Sequence, residues 1–138
     1  EWQTITGGRL GEKDAYQIRL NMDMTKENTW RLSNGKNDYL EFYVNPGARM
    51  IVARRNGSTG ASSFSASFSL PALRMPVVGN DDAIELDIYV DRSSVEFFTA
   101  DGTSAMTMIV FPEEIYDSIE STSGEVKGKV RSLSRIWK

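Results

Sequence analysis

Apolar and polar residues alternate along most of the chain. Tyr16, Ile18, Leu20 and Met22 are separated by Gln17, Arg19, Asn21 and Asp23, the period of a strand with one face buried. Trp30 and Leu32 share a face of the next segment, which ends at the turn pair Asn34-Gly35. The aromatic and β-branched run YLEFYVN stops at Pro46-Gly47, and ARMIVARRNG returns from it, a pattern that predicts a hairpin. Leu86, Ile88 and Val90 form another stripe, Met106, Met108 and Val110 a further one closed by Pro112, and Ser123-Gly124 separates two last short segments. Phe64, Ala66, Phe68 and Leu70 alternate with serines inside the biased stretch of residues 56–71, which reads either as a loop or as a strand fed by one. Helical periodicity nowhere exceeds a turn or two. About ten to twelve short strands at regular spacing predict an all-β fold, a two-sheet antiparallel β-sandwich of the jelly-roll or concanavalin-like kind.

A chain of 138 residues fits a single domain over 1–138, and 40% apolar with 25% charged residues is an ordinary globular mixture. A net charge of −3 argues against nucleic acid as a partner, since phosphate neutralisation needs a basic face. The basic residues are scattered apart from Arg54-Arg55 and residues 127–138, where alternation with apolar positions reads as an edge strand. No apolar run is long enough for a membrane-spanning helix. The chain has no cysteine and no histidine, which removes disulfides, thiolate zinc sites and any imidazole base. No metal site and no cofactor are expected. The opening Glu1-Trp2-Gln3, without methionine or apolar leader, reads as a piece of a longer protein.

The candidate chemistry sits in VDRSSVEFF. Asp91 and Glu96 flank a short turn, and two carboxyl groups roughly 5 Å apart, or somewhat further, would suit a retaining or inverting glycosidase. A second reading assigns Asp91 to the turn itself, accepting backbone N–H bonds from Ser93 and Ser94, with Asp101-Gly102 as the next turn of a three-stranded meander. The turn reading uses every polar residue; the catalytic reading lacks groups to hold a sugar or raise one pKa. A third use is sugar binding without cleavage through Asp91, Arg92 and Glu96. Asn80, Asp81 and Asp82 lack the spacing of a calcium loop and read as a solvated turn. Residues 6–12 are glycine-rich but have no phosphate-loop lysine, so they read as a connection. Trp2, Trp30 and Trp137 could stack on sugars, although a tryptophan in a sandwich is more often core.

The run LDIYVDRSSVEFFTADGTSAMTMIVFP resembles the C-terminal β-sandwich domain of glycoside hydrolase family 32, the levanases, inulinases and invertases. The resemblance is carried in order by Asp91 through Glu96, Phe98, Asp101-Gly102 and Phe111-Pro112, with VRSLSRIW similar to the family's closing strand. It covers residues 16–137. The family's Asp-Arg-x-x-Ser-Gly signature has only ARRNGSTG as its counterpart, so no role carries over to Arg54 or Arg55. The resemblance implies a β-fructosidase parent, whose five-bladed propeller supplies the catalytic groups through Asn-Asp-Pro-Asn, Arg-Asp-Pro and Glu-Cys motifs. None of these occurs here. It therefore implies a non-catalytic domain whose partner is the catalytic β-propeller of the same chain, from a secreted, periplasmic or cell-surface parent. The alternatives are a module binding fructan or fructose ends, and a structural or oligomerisation domain, which a broad exposed apolar patch would favour.

Overall fold

The computed structural model describes residues 2–10, 14–35, 38–55, 72–110, 112 and 114–133. Among these there is no helix, and hence none long and apolar enough to cross a membrane. The described residues form eleven strands: β1 (Gln3–Thr4), β2 (Tyr16–Asp23), β3 (Thr29–Ser33), β4 (Tyr39–Asn45), β5 (Met50–Arg55), β6 (Leu73–Pro76), β7 (Ala83–Val90), β8 (Ser94–Thr99), β9 (Ala105–Ile109), β10 (Ser118–Ser121) and β11 (Gly128–Ser132). They build a six-stranded sheet in the order β1-β11-β2-β7-β8-β9 and a five-stranded sheet in the order β10-β3-β4-β5-β6. Every pairing is antiparallel. The chain is the two-sheet sandwich that the alternation predicts.

One core lies between the sheets. Ile18, Leu20, Leu86, Ile88, Val95 and Phe97 enter it from the six-stranded sheet, and Leu32, Leu40, Phe42 and Ile51 from the other; all are fully buried. Trp30 and Phe42 face each other across β3 and β4 and stack at 5.5 Å, and the Phe97 ring meets Phe42 edge-on at 5.3 Å, a favoured aromatic geometry. The buried Tyr16 hydroxyl donates to the Tyr116 carbonyl at 2.7 Å. Burial pushes the Tyr116 phenol well above its usual range, with the Asp38 charge acting in the same direction.

Three expectations change. β11 is not an edge strand: β1 pairs with it through Gln3↔Val130 and Thr4↔Lys129, so the sheet edge moves one strand outward. β6 is also unexpected, a short edge strand ending in Pro76, as proline requires. Gln17 and Asp87 lie on the outer face yet are 1% and 8% exposed. Long neighbours reach them: Arg131 Nε donates to Gln17 at 2.9 Å, and Arg19 pairs with Asp87 through two bonds of 2.7 and 3.2 Å. The strand expected over Phe64–Leu70, together with Phe111 and Trp137, lies outside the described residues.

Candidate functional site

β7, β8 and β9 are the expected meander, in register through Tyr89↔Glu96 and Glu96↔Thr107. Asp91 sits at the first bend. One of its carboxylate oxygens accepts the Ser93 and Ser94 backbone N–H groups, both at 2.8 Å, and the two serine hydroxyls at 3.2 and 3.4 Å. The Asp91 N–H donates to the Ser94 carbonyl at 3.0 Å, closing the turn. Partial burial raises the Asp91 pKa, but the four bonds to the carboxylate outweigh it and hold the group below its ordinary value. A general acid would need the opposite shift. Glu96 projects half-buried from the outer face of β8, between Tyr89 and Thr107. Arg92 is exposed at the tip of the turn.

The two acids are therefore set differently: Asp91 is turned back onto its own bend, while Glu96 belongs to the sheet's outer surface. Asp91→Ala is expected to cost about 1 kcal/mol of stability through the lost turn bonds, and Glu96→Gln less than about 0.5 kcal/mol. Urea midpoints check both, and equal effects would contradict this assignment. Asp101 repeats the arrangement at the next turn, accepting from Thr103 N–H at 3.0 Å and Thr99 Oγ1 at 2.9 Å.

The other candidates separate in the same way. Asp81 and Asp82 are exposed, and no group of three or more acid, histidine or cysteine side chains among the described residues is placed to hold a metal. Residues 6–9 form a glycine turn bridged to Ser118. Trp30 is core, 4% exposed. Trp2 lies half-buried on the outer face of the six-stranded sheet, with Arg131, Arg19 and Lys129 at 4.6, 5.0 and 5.1 Å from its ring.

Four clefts on the described surface are lined by other residues throughout; none takes in Asp91, Arg92 or Glu96. One of about 260 Å³ lies at the far end of β2 from the Asp91 turn. It is built from the β2–β3 connection and the β10–β11 loop. Asn28 joins the two: its side-chain oxygen accepts from Thr122 Oγ1 at 2.7 Å and Ser121 Oγ at 3.1 Å. Sequence reading missed this place because its halves lie more than ninety residues apart. A local polar cluster such as DMTKEN carries no sign of the loop that will meet it.

The family described as "Glycosyl hydrolases family 32 C terminal" matches residues 4–137. A levanase of Bacillus subtilis (strain 168) is 28% identical over 96% of this chain, and that of Bacillus sp. (strain L7) 31% identical over 90%. The chain spans 20% and 14% of the length of those two relatives. Among solved structures, sucrose-6-phosphate hydrolase from Lactobacillus gasseri superposes with a TM-score of 0.68 at 20% identity, over 95% of this chain and 28% of that one. Xenopus laevis galectin-Ib does so at 0.59 and 13% identity, over 94% of this chain and all of that one. At those identities the two structures bear on the fold alone.

Proposed function

Because the chain belongs to the glycosyl hydrolase family 32 C-terminal domains, we propose that it is the non-catalytic β-sandwich of a levanase-like β-fructosidase, bracing the catalytic domain of the same parent protein. The observation that carries this reading is the Asp91 turn. The acid best placed by sequence to act on a glycosidic bond commits one carboxylate oxygen to four bonds within its own loop, and neither it nor Glu96 lines any of the four clefts above. The length of the levanase relatives supports a same-chain partner, since they extend far beyond the stretch matched here. The parent's substrate in this reading is levan, inulin or sucrose. A fructan polymer is met outside the cell, so we place the parent there.

Self-association has weaker support. Val78 and Ile109, 61% and 49% exposed, are the large hydrophobic residues that stand out among those described, and two such residues do not make a broad apolar patch. The chain alone, incubated with levan, inulin and sucrose, is expected to release no fructose above buffer. Release abolished by Glu96→Gln would overturn the reading.

A further inference from the structure

We infer that the cleft between the β2–β3 connection and the β10–β11 loop is a binding site for one or two rings of a neutral sugar, such as the end of a fructan chain. The inference concerns a place distinct from the Asp91 turn and goes beyond the bracing role proposed above.

Its charge selects the ligand class. Asp23, Lys26 and Glu27 line it from the β2–β3 side and Glu125 and Lys127 from the β10–β11 side, so three negative groups stand among two positive ones and neither wall carries one sign alone. A phosphate or sulfate would need an excess of cations, and a metal ion would need clustered acids, which the described residues do not provide. Mixed charges with the Asn21 and Asn28 amides and the Ser123 hydroxyl give donors and acceptors side by side. A ring of neighbouring hydroxyls, each donor and acceptor at once, matches that arrangement.

Part of this set is also available. Among the described residues no hydrogen bond engages the side chains of Asn21, Lys26, Glu27, Glu125 or Lys127, whereas Ser123 Oγ is held by Ser121 Oγ at 2.9 Å and the Glu125 carbonyl at 3.2 Å. Bonds from the Thr25 hydroxyl and N–H to one Asp23 oxygen, with smaller contributions from the Lys26 and Lys127 charges, hold Asp23 below the ordinary carboxylate range. Asn28 contributes rigidity, because its two bonds to the opposite loop fix the walls relative to each other.

Trp30 lines the cleft as well. Its ring is stacked on Phe42 and almost wholly buried, so it offers an apolar edge without losing side-chain freedom when a ligand arrives. The volume of about 260 Å³ falls below the ~300–1,000 Å³ of pockets for drug-sized ligands. That admits a terminal ring or two and leaves the rest of a polymer in solvent.

The test is a nuclear magnetic resonance titration of the isotopically labelled chain with a short levan-type fructo-oligosaccharide. Parallel arms use an inulin-type oligosaccharide and lactose. Saturable amide shifts confined to residues 21–30 and 123–127 are expected, with a dissociation constant on the order of 1 mM, as suits a small neutral ligand. Glu27→Ala and Lys127→Ala, both exposed changes, should each weaken binding about fivefold, the worth of one lost hydrogen bond, and Arg92→Ala should leave it unchanged. Binding of the fructo-oligosaccharides without lactose identifies a fructan end, whereas equal binding of all three identifies a general sugar site. No saturable shift with any sugar, shifts centred on residues 91–96, or binding indifferent to both cleft variants would overturn the inference. The fructose-release assay is independent, so a silent titration leaves the bracing role standing.

Discussion

Phe97→Ala is expected to lower the unfolding free energy by about 3–5 kcal/mol, the range for truncating a buried aromatic side chain. The ring is fully buried and forms the aromatic bridge from the six-stranded sheet to Phe42 of the other. Its removal leaves a void that flanking strands, held by backbone ladders on both sides of β8, can close only in part. Against a typical domain stability of about 5–15 kcal/mol, the loss is large. The neighbouring Phe98 is the internal control. It points to the outer face, is half-buried, and meets Tyr89 edge-on at 5.5 Å, so Phe98→Ala should cost about 1 kcal/mol. Urea denaturation of both variants measures the contrast between two residues one position apart. Comparable losses would mean that the face assignment of β8, and with it the seat of the Asp91 turn, is wrong.

The same contrast explains what the sequence makes legible. Period-two alternation identifies β2, β4, β7 and β8 because each buries one face, and the burial of β8 alternates without a break. It fails where burial comes from above the sheet. Gln17 and Asp87 read as solvent-facing by position, but Arg131 and Arg19 fold over them from neighbouring strands, a contact no local pattern encodes. β1 is two exposed residues long and has no period to detect; only its pairing with β11 makes it a strand. The Asp91 turn was legible because its bonds reach two and three residues along the chain. The cleft was not, because its walls come together only once the two sheets close.

That closure can be probed at one glycine. Gly128→Ala is expected to destabilise the chain by about 2–3 kcal/mol, within or at the upper end of overpacking costs, although alanine in place of glycine inside a strand ordinarily adds about 0.5–1 kcal/mol. The sign reverses because Gly128 lies opposite Leu20 at the start of β11. A Cβ there would stand 2.6 Å from the Arg19 carbonyl oxygen and 2.7 Å from Leu20 Cδ2. The first contact is backbone, which a rotamer change cannot relieve, so β11 must move away from β2. Two backbone bonds hold it in place, Ile5 N–H to the Gly128 carbonyl at 3.1 Å and Asn21 N–H to the Lys127 carbonyl at 3.0 Å. The second, on the β2 side, would be stretched, and it belongs to residues that line the cleft. Thermal unfolding reads the stability change, and the Asn21 and Lys127 amide resonances read the displacement. A Gly128→Ala chain as stable as the parent, with those resonances unmoved, would mean that β11 does not sit against β2 as described and that the cleft lacks the wall assigned to it.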